Sequence, residues 1–280
     1  MNKNDLNNFL YYILYIYTME FKINDKKKKD IFVSIFLLLK HSSSQINLMI
    51  NPDTFHIQGM DKSHVCLFDL TLNAEWFSYY KVNEKYNICF DTANFHAIIS
   101  IKSDDQYLVF RIEDGQTDVM TIEVLSDPDN YSKKSDYNKY FSLPLIEYEY
   151  EELSIPSTEY DAEIAISSKS LTDMLSQLMN FGQDIIIHCT EKCVDFETKG
   201  DKANMRVNVL TEDLNSYGIV EGEEIKLTYN LSYISKLCIT NKLSADIELF
   251  LSNERPMKIK YDLGENSVLS IYIAPKMTEE

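Results

Sequence analysis

The sequence predicts an α+β protein made of two similar units in tandem. Short stretches rich in β-branched and aromatic residues alternate apolar and polar positions, the period of half-buried strands. Between them, a few segments place apolar residues three and four positions apart, as helices with one packed face do. The order helix, strands, helix, strands in the first half returns in the second at a period of about 130 residues, with little residue identity between the halves.

In chain order, a strongly apolar helix runs from Phe32 and is entered through the basic run Lys26, Lys27, Lys28, Lys29. Strands follow at 46–50, 54–58, 65–72 and 86–90, and 92–101 has helical spacing. Residues 106–112 and 118–125 read as strands joined through the turn Glu113-Asp114-Gly115. The second half begins with a strand at 163–166 and an amphipathic helix at 170–181, with Leu171, Met174, Leu175 and Leu178 on one face. Residues 185–189 and 193–198 form a hairpin, 205–211 continues the sheet, and 224–229 leads into a helix at 231–239. Strands at 245–251, 257–263 and 267–273 complete the pattern. Between the halves, 127–160 is rich in Tyr, Glu and Ser with prolines at 128, 144 and 156, and reads as an extended connector in which 146–150 alternates like a strand. The expected organisation is an N-terminal extension (1–18), a first domain (19–144), a connecting loop (145–160) and a second domain (161–280).

Composition narrows the function. With only 7 Gly and 6 Pro in 280 residues, and 45% hydrophobic residues, the chain has a core to bury and is neither disordered nor collagen-like. The Asn, Lys, Ile and Tyr content is that of an AT-rich genome, as in a large DNA virus or a protist. A net charge of −17 excludes a protein that grips nucleic acid over its whole surface, because phosphate neutralisation needs clustered cations, but it leaves room for one small basic face. The five cysteines, Cys66, Cys89, Cys189, Cys193 and Cys238, lie in apolar stretches; an odd count without a dense framework fits free buried thiols in a reducing compartment. The apolar run 9–17 is shorter than the roughly 20 residues of a membrane span and has no cleavage-site pattern, so it reads as a dispensable extension with Met19 as the functional start.

Catalytic signatures are absent. There is no glycine-rich phosphate loop, no H-E-x-x-H, no C-x-x-C pair and no nucleophile elbow. His188, Cys189 and Cys193 offer three metal-ligand types at loose spacing, but the cysteines fall on two arms of a hairpin that turns at 190–192. The pairs Asp104-Asp105 and Asp127/Asp129 sit where Asp is favoured by local backbone hydrogen bonding. Trp76 and Phe77 anchor a loop or strand end. The lysine run opposes the helix macrodipole, a small cost that a phosphate partner would offset.

Three separated blocks resemble the proliferating cell nuclear antigen family. The first is Gln58-Gly59-Met60-Asp61-Lys62-Ser63-His64-Val65-Cys66-Leu67, followed by Asp69-Leu70-Thr71-Leu72. The second is Leu145-Ile146-Glu147-Tyr148-Glu149-Tyr150-Glu151-Glu152-Leu153-Ser154-Ile155-Pro156, similar to the family's interdomain connecting loop. The third is Tyr272-Ile273-Ala274-Pro275-Lys276 with an acidic tail, and the order and spacing of the three match the family from Met19 onward.

The resemblance implies two clamp domains per chain, with helices lining the interior of a ring and sheets outside, and three chains closing head to tail around double-stranded DNA. By resemblance, the strands pairing between subunits are 118–125 of one chain and 205–211 of the next. It implies a DNA-facing set of Lys26, Lys27, Lys28, Lys29, Lys40, Lys102, Lys169, Lys236 and Lys242. It also implies a partner-binding pocket of Met60, His64, Val65, Leu67, Leu153, Ile155, Pro156, Tyr160, Pro256, Tyr272, Ala274 and Pro275, which takes a short motif of Gln, an aliphatic and two aromatics. The expected function is a homotrimeric polymerase processivity factor with no catalysis and no cofactor. Its implied partners are a DNA polymerase, other replication and repair proteins and an ATP-driven clamp loader, with no membrane. Its expected location is the nucleus or, for a virus, the replication site in the host cell. The alternatives are a subunit of a heterotrimeric checkpoint-type clamp and a metal-dependent hydrolase. The chain departs from the family at four places. No Arg or Lys occurs between Asp173 and Asn180, Ser232 and Ile239 replace basic residues, the stretch 135–156 is a few residues longer, and Glu191 stands where eukaryotic relatives carry a modifiable lysine, with Lys192 adjacent.

Overall fold

The computed structural model describes residues 17–116, 118–126, 137–147, 153–156, 159–238 and 242–276. The extension 1–16, the Asp127/Asp129 pair, Ile239, the acidic tail and most of the 146–150 alternation lie outside them. The elements come in an order that repeats. The first set is β1 (Tyr17–Ile23), α1 (Lys26–Ser42), β2 (Gln45–Ile50), β3 (Thr54–Met60), β4 (Cys66–Asn73), β5 (Tyr79–Val82), β6 (Tyr86–Asp91), α2 (Thr92–Ser100), β7 (Gln106–Glu113), β8 (Val119–Ser126) and β9 (Lys139–Pro144). The second is β10 (Ala162–Ser167), α3 (Ser168–Leu178), β11 (Asp184–Cys189), β12 (Cys193–Lys199), β13 (Asn204–Leu210), β14 (Ser216–Ile219), β15 (Ile225–Asn230), α4 (Leu231–Leu237), β16 (Asp246–Leu251), β17 (Met257–Gly264) and β18 (Ser267–Ile273). Strand, helix, five strands, helix, three strands therefore occurs twice, as the α+β tandem reading requires. No helix among the described residues is long and apolar enough to cross a membrane.

Contacts divide the chain into two compact units. One contains the chain up to Gly59 with Thr71–Glu152 and Gly264–Ser267; the other contains Met60–Leu70, Leu153–Leu263 and the chain from Val268. In the first unit an antiparallel sheet runs β5-β1-β7-β8-β9, and β2 lies between β3 and β6. Alternation in β1 buries Met19, Phe21 and Ile23 completely, and the strand pairs with β5 on one edge and β7 on the other. Its Phe21 ring stacks on Phe110 at 4.5 Å and meets Phe55 and Phe77 edge-on, and Phe32 of α1 joins the same cluster. Trp76, fully buried in a short 3-10 turn, packs against Phe77. Aromatic faces in such arrangements add about 1 kcal/mol per pair beyond their buried area.

Helix α1 begins earlier than the sequence pattern indicates. Asp25 caps it, its side chain accepting from the Lys28 N–H at 2.8 Å, so all four lysines lie in its first turn. Three of their charges against the macrodipole are met from within the protein. Lys26 pairs with Asp104 at 2.7 Å and Lys28 with Glu265 at 3.1 Å. Lys29 is 2% exposed, and its ammonium donates to the carbonyl oxygens of Asp104, at 2.8 Å, and Gln106. Lys102 is tucked against Asp30 at 2.8 Å with its side chain 7% exposed. Lys29 and Lys102, expected to face DNA, are interior or nearly so, because carbonyl and carboxylate acceptors from the loop preceding β7 and from α1 hold them there.

In the second unit β11 lies between β12 and β15, β13 is the outer strand beyond β12, and a second sheet runs β14-β10-β16-β17-β18. On α3, Leu171, Met174, Leu175 and Leu178 are buried together, as their spacing predicts. Asn230 caps α4 by accepting from the Tyr233 N–H at 3.2 Å. The hairpin at 190–192 forms, with Thr190 N–H donating to the Cys193 carbonyl at 3.0 Å.

Two expectations about strands change. The segment 139–144, read as connector, is strand β9; it pairs with β8 through Thr121↔Ser142 and Ile122↔Phe141. Strand β8 therefore has partners on both sides, and the free edge assigned to 118–125 belongs to β9. The period-two signal was weak there because, of its six residues, only Leu143 is buried. β5 and β14 also escaped, each being four residues long.

The two roles of the lysine run separate experimentally. Lys29→Ala should lower unfolding free energy by about 3 kcal/mol in urea, since it strands two buried carbonyls, whereas exposed Lys27→Ala should change it by less than about 0.5 kcal/mol. Equal, small effects would show that Lys29 is not structurally bound.

Candidate functional site

The site is organised by a five-residue loop, Asp61 to Val65, between β3 and β4. Asp61 is 5% exposed. Its Oδ1 accepts the backbone N–H groups of Val65 and Cys66, both at 2.8 Å, and its Oδ2 accepts from the Ser63 N–H at 3.3 Å and the Tyr233 hydroxyl at 2.9 Å. The Asp61 N–H donates to the Cys66 carbonyl at 2.9 Å, and His64, in the left-handed region at φ 55°, donates its N–H to the Asp61 carbonyl at 3.0 Å. Burial pushes the Asp61 carboxyl up, but the donors from Cys66, Tyr233, Val65 and Ser63 outweigh it and hold the group below the ordinary carboxylate value. A buried carboxylate with four donors closes the loop and turns the side chains of Met60, His64 and Val65 to one side.

Those side chains form one wall of a cavity of about 280 Å³, lined by Met60, His64, Val65, Leu67, Ser154, Ile155, Pro156, Tyr160, Arg255, Pro256, Tyr272 and Ala274. Four separate segments converge on it, all within the second unit. The Ala274 N–H donates to the Val65 carbonyl at 3.0 Å, tying the end of β18 to the loop. Beyond it, Lys276 donates its N–H to the Thr228 carbonyl at 2.8 Å and pairs with Asp184. Tyr160 packs its ring on Phe250 at 5.6 Å, and Lys258 lies over Phe250 and Tyr272 at 5.3 and 5.9 Å from their centroids. Apolar walls with few polar groups favour an apolar occupant that sheds water on entry.

Ten of the twelve residues named for the pocket line this cavity. Leu153, 37% exposed, and Pro275 do not. Ser154 and Arg255 line it without having been anticipated. Asp61 stood inside the first family block, but nothing in one sequence marks it as the loop's organiser. Of the lysine set, Lys26, Lys27, Lys40, Lys169, Lys236 and Lys242 are exposed and Lys28 is half-buried.

Other candidate chemistry disperses. The Cys189 thiol is buried in the core and burial pushes it up to about 12, while His188 binds Glu224 through Nε2. Among the described residues no group of three His, Cys, Asp or Glu is arranged to hold a metal. Asp104 is engaged by Lys26. A larger cavity of about 820 Å³ in the first unit, around Tyr86, Ile112 and Ile146, is rimmed by Glu84, Asp118 and Glu147 and lacks continuous apolar walls.

Comparison with known proteins gives one family. Residues 19–151 match the model of the proliferating cell nuclear antigen N-terminal domain, and residues 154–276 match its C-terminal domain. The chain is 28% identical over 247 residues to the proliferating cell nuclear antigen of Chaetomium thermophilum, covering 86% of this chain and 93% of that protein. Its fold is similar to the crystal structure of PCNA from Thermococcus kodakaraensis, with a TM-score of 0.81, 21% identity, and coverage of 92% of this chain and 100% of that one.

The Asp61 carboxylate makes stability depend on pH in a defined direction. Its folded pKa lies below the unfolded value of about 3.9, so its contribution is complete above that value and is lost as pH falls through the lower folded one. Asp61→Asn should therefore be less stable than the parent by about 3 kcal/mol at pH 7, with the gap narrowing as pH falls below the unfolded value. Urea unfolding across pH checks this; a gap that does not change with pH would remove the carboxylate from the account.

Proposed function

This chain belongs to the proliferating cell nuclear antigen family of DNA sliding clamps, and we propose that it serves as a homotrimeric processivity factor that tethers a DNA polymerase. The observation that carries the tethering is the apolar cavity held open by the Asp61 loop. Its size and lining suit a single turn of helix presenting an aliphatic and two aromatic side chains, with His64 and backbone groups for polar contacts. Ile155 and Pro156 from the connecting segment and Tyr272 from β18 contribute to its lining.

Ring closure is supported by two outer strands. β9 and β13 each leave one edge without a strand partner among the described residues. Exposed Tyr140 on β9 (65%) and Leu210 on β13 (44%) are apolar surface of the kind that a second chain covers. Sheet continuation of β9 onto β13 of the next copy would repeat head to tail and close. A closed ring stays on DNA without tight contacts, so a few exposed lysines suffice and a net charge of −17 is no obstacle. It acts by topology at the place of replication, nuclear or viral.

Primer extension on singly primed circular DNA with the clamp loader is the direct test: product length should rise sharply on adding the protein, and unchanged length would end the processivity reading. The purified chain alone should scatter light as a species of about three times 32.6 kDa; a monomer would favour a heterotrimeric checkpoint-type clamp. Ile155→Ser should weaken binding of a peptide carrying the Gln-aliphatic-aromatic-aromatic motif by about 30-fold, or 2 kcal/mol, while leaving the oligomer intact. Unaltered peptide affinity would place docking elsewhere.

A further inference from the structure

The chain contains three arginines, Arg111, Arg206 and Arg255. Two of them are engaged by carboxylates: Arg111 by Glu123 at 2.5 Å and Glu20 at 3.5 Å, and Arg206 by Asp195 at 2.6 Å. Arg255 is the exception. It is half-buried, it lines the 280 Å³ cavity beside Pro256, and it has no ion pair or hydrogen bond among the described residues. The nearby Lys258 is placed differently: it rests over the Phe250 and Tyr272 rings, and the next cation along β17, Lys260, is held by Glu248 at 2.9 Å. In a protein with 44 acidic and 27 basic residues, a guanidinium left unpaired at the wall of an apolar cavity is a group in want of an acceptor.

We propose that Arg255 is a specificity-determining residue of the docking cavity, selecting partner segments that place a carboxylate side chain beside their apolar anchors. This rests on the docking role given above. The planar fork of guanidinium donors matches a carboxylate bidentately, and an occupant that seals the apolar walls strips water from the pair and strengthens it. Elsewhere the acidic surface repels an acidic peptide, so Arg255 also sets where along the motif the negative charge is tolerated. A neutral partner still binds through its apolar side chains; an acidic one in register gains the additional contact.

The test is a double-mutant cycle on the full-length clamp, read by fluorescence anisotropy. The probes are synthetic peptides Gln-Ala-Ala-Ile-Ala-Ala-Phe-Phe in which each Ala in turn, and each flanking position, is Glu or Gln. At one position the Glu peptide should bind the parent protein about tenfold more tightly than its Gln counterpart, equivalent to about 1.4 kcal/mol. In Arg255→Gln that ratio should fall below about twofold, whatever the change in affinity for the Gln peptide, and Arg255→Lys should recover part of it. A Glu-to-Gln ratio that is the same in parent and Arg255→Gln at every position would overturn the proposal. Ile155→Ser separates the two readings. If it abolishes binding of the Gln peptide while Arg255 shows no coupling, docking stands and the selectivity falls. If no peptide binds the parent, both fall.

Discussion

A single buried carboxylate governs how this protein presents its binding surface. Asp61 gathers three backbone N–H groups and the Tyr233 hydroxyl, and without it the loop between β3 and β4 would leave those donors facing each other. The backbone at His64 accepts a left-handed conformation to complete the turn, a cost of about 1 kcal/mol or more that such a knot offsets. Through the Val65 carbonyl the same loop holds Ala274, so two of the segments that line the cavity are positioned by one ionised group.

Cation placement follows the same economy. The chain is strongly acidic, yet it uses Lys29 and Lys102 as interior ties, the first to carbonyl oxygens around the start of β7 and the second to Asp30. These bonds relieve the repulsion of four lysines clustered at a helix N-terminus. The remaining cations available to a phosphate are exposed and few, which suits a clamp that relies on encirclement more than on grip.

Much of the architecture was legible in the chain. Alternating residues in 46–50, 54–58 and 267–273, and the Leu171, Met174, Leu175, Leu178 face, became β2, β3, β18 and α3. The three family blocks carry eight of the ten anticipated residues that line the cavity, and Tyr160 and Pro256 came from the wider resemblance. β9 was not readable: an outer strand with five of its six side chains outside the core carries no strong period. Arg255 was not readable either, because whether a guanidinium is paired depends on which carboxylates come near it.

The sequence by itself determined most of the secondary structure, the tandem repeat and the family, because periodicity is written in residues two to four positions apart and burial rewards it locally. Only the tertiary structure decided that Lys29 is interior, that Asp61 is the hub of a loop, and that Arg255 stands beside the cavity without a partner among the described residues. Those outcomes join Lys29 to Gln106 across 77 positions and Asp61 to Tyr233 across 172. Polar groups must find partners once water is removed, and at such separations only the packed chain determines which groups meet.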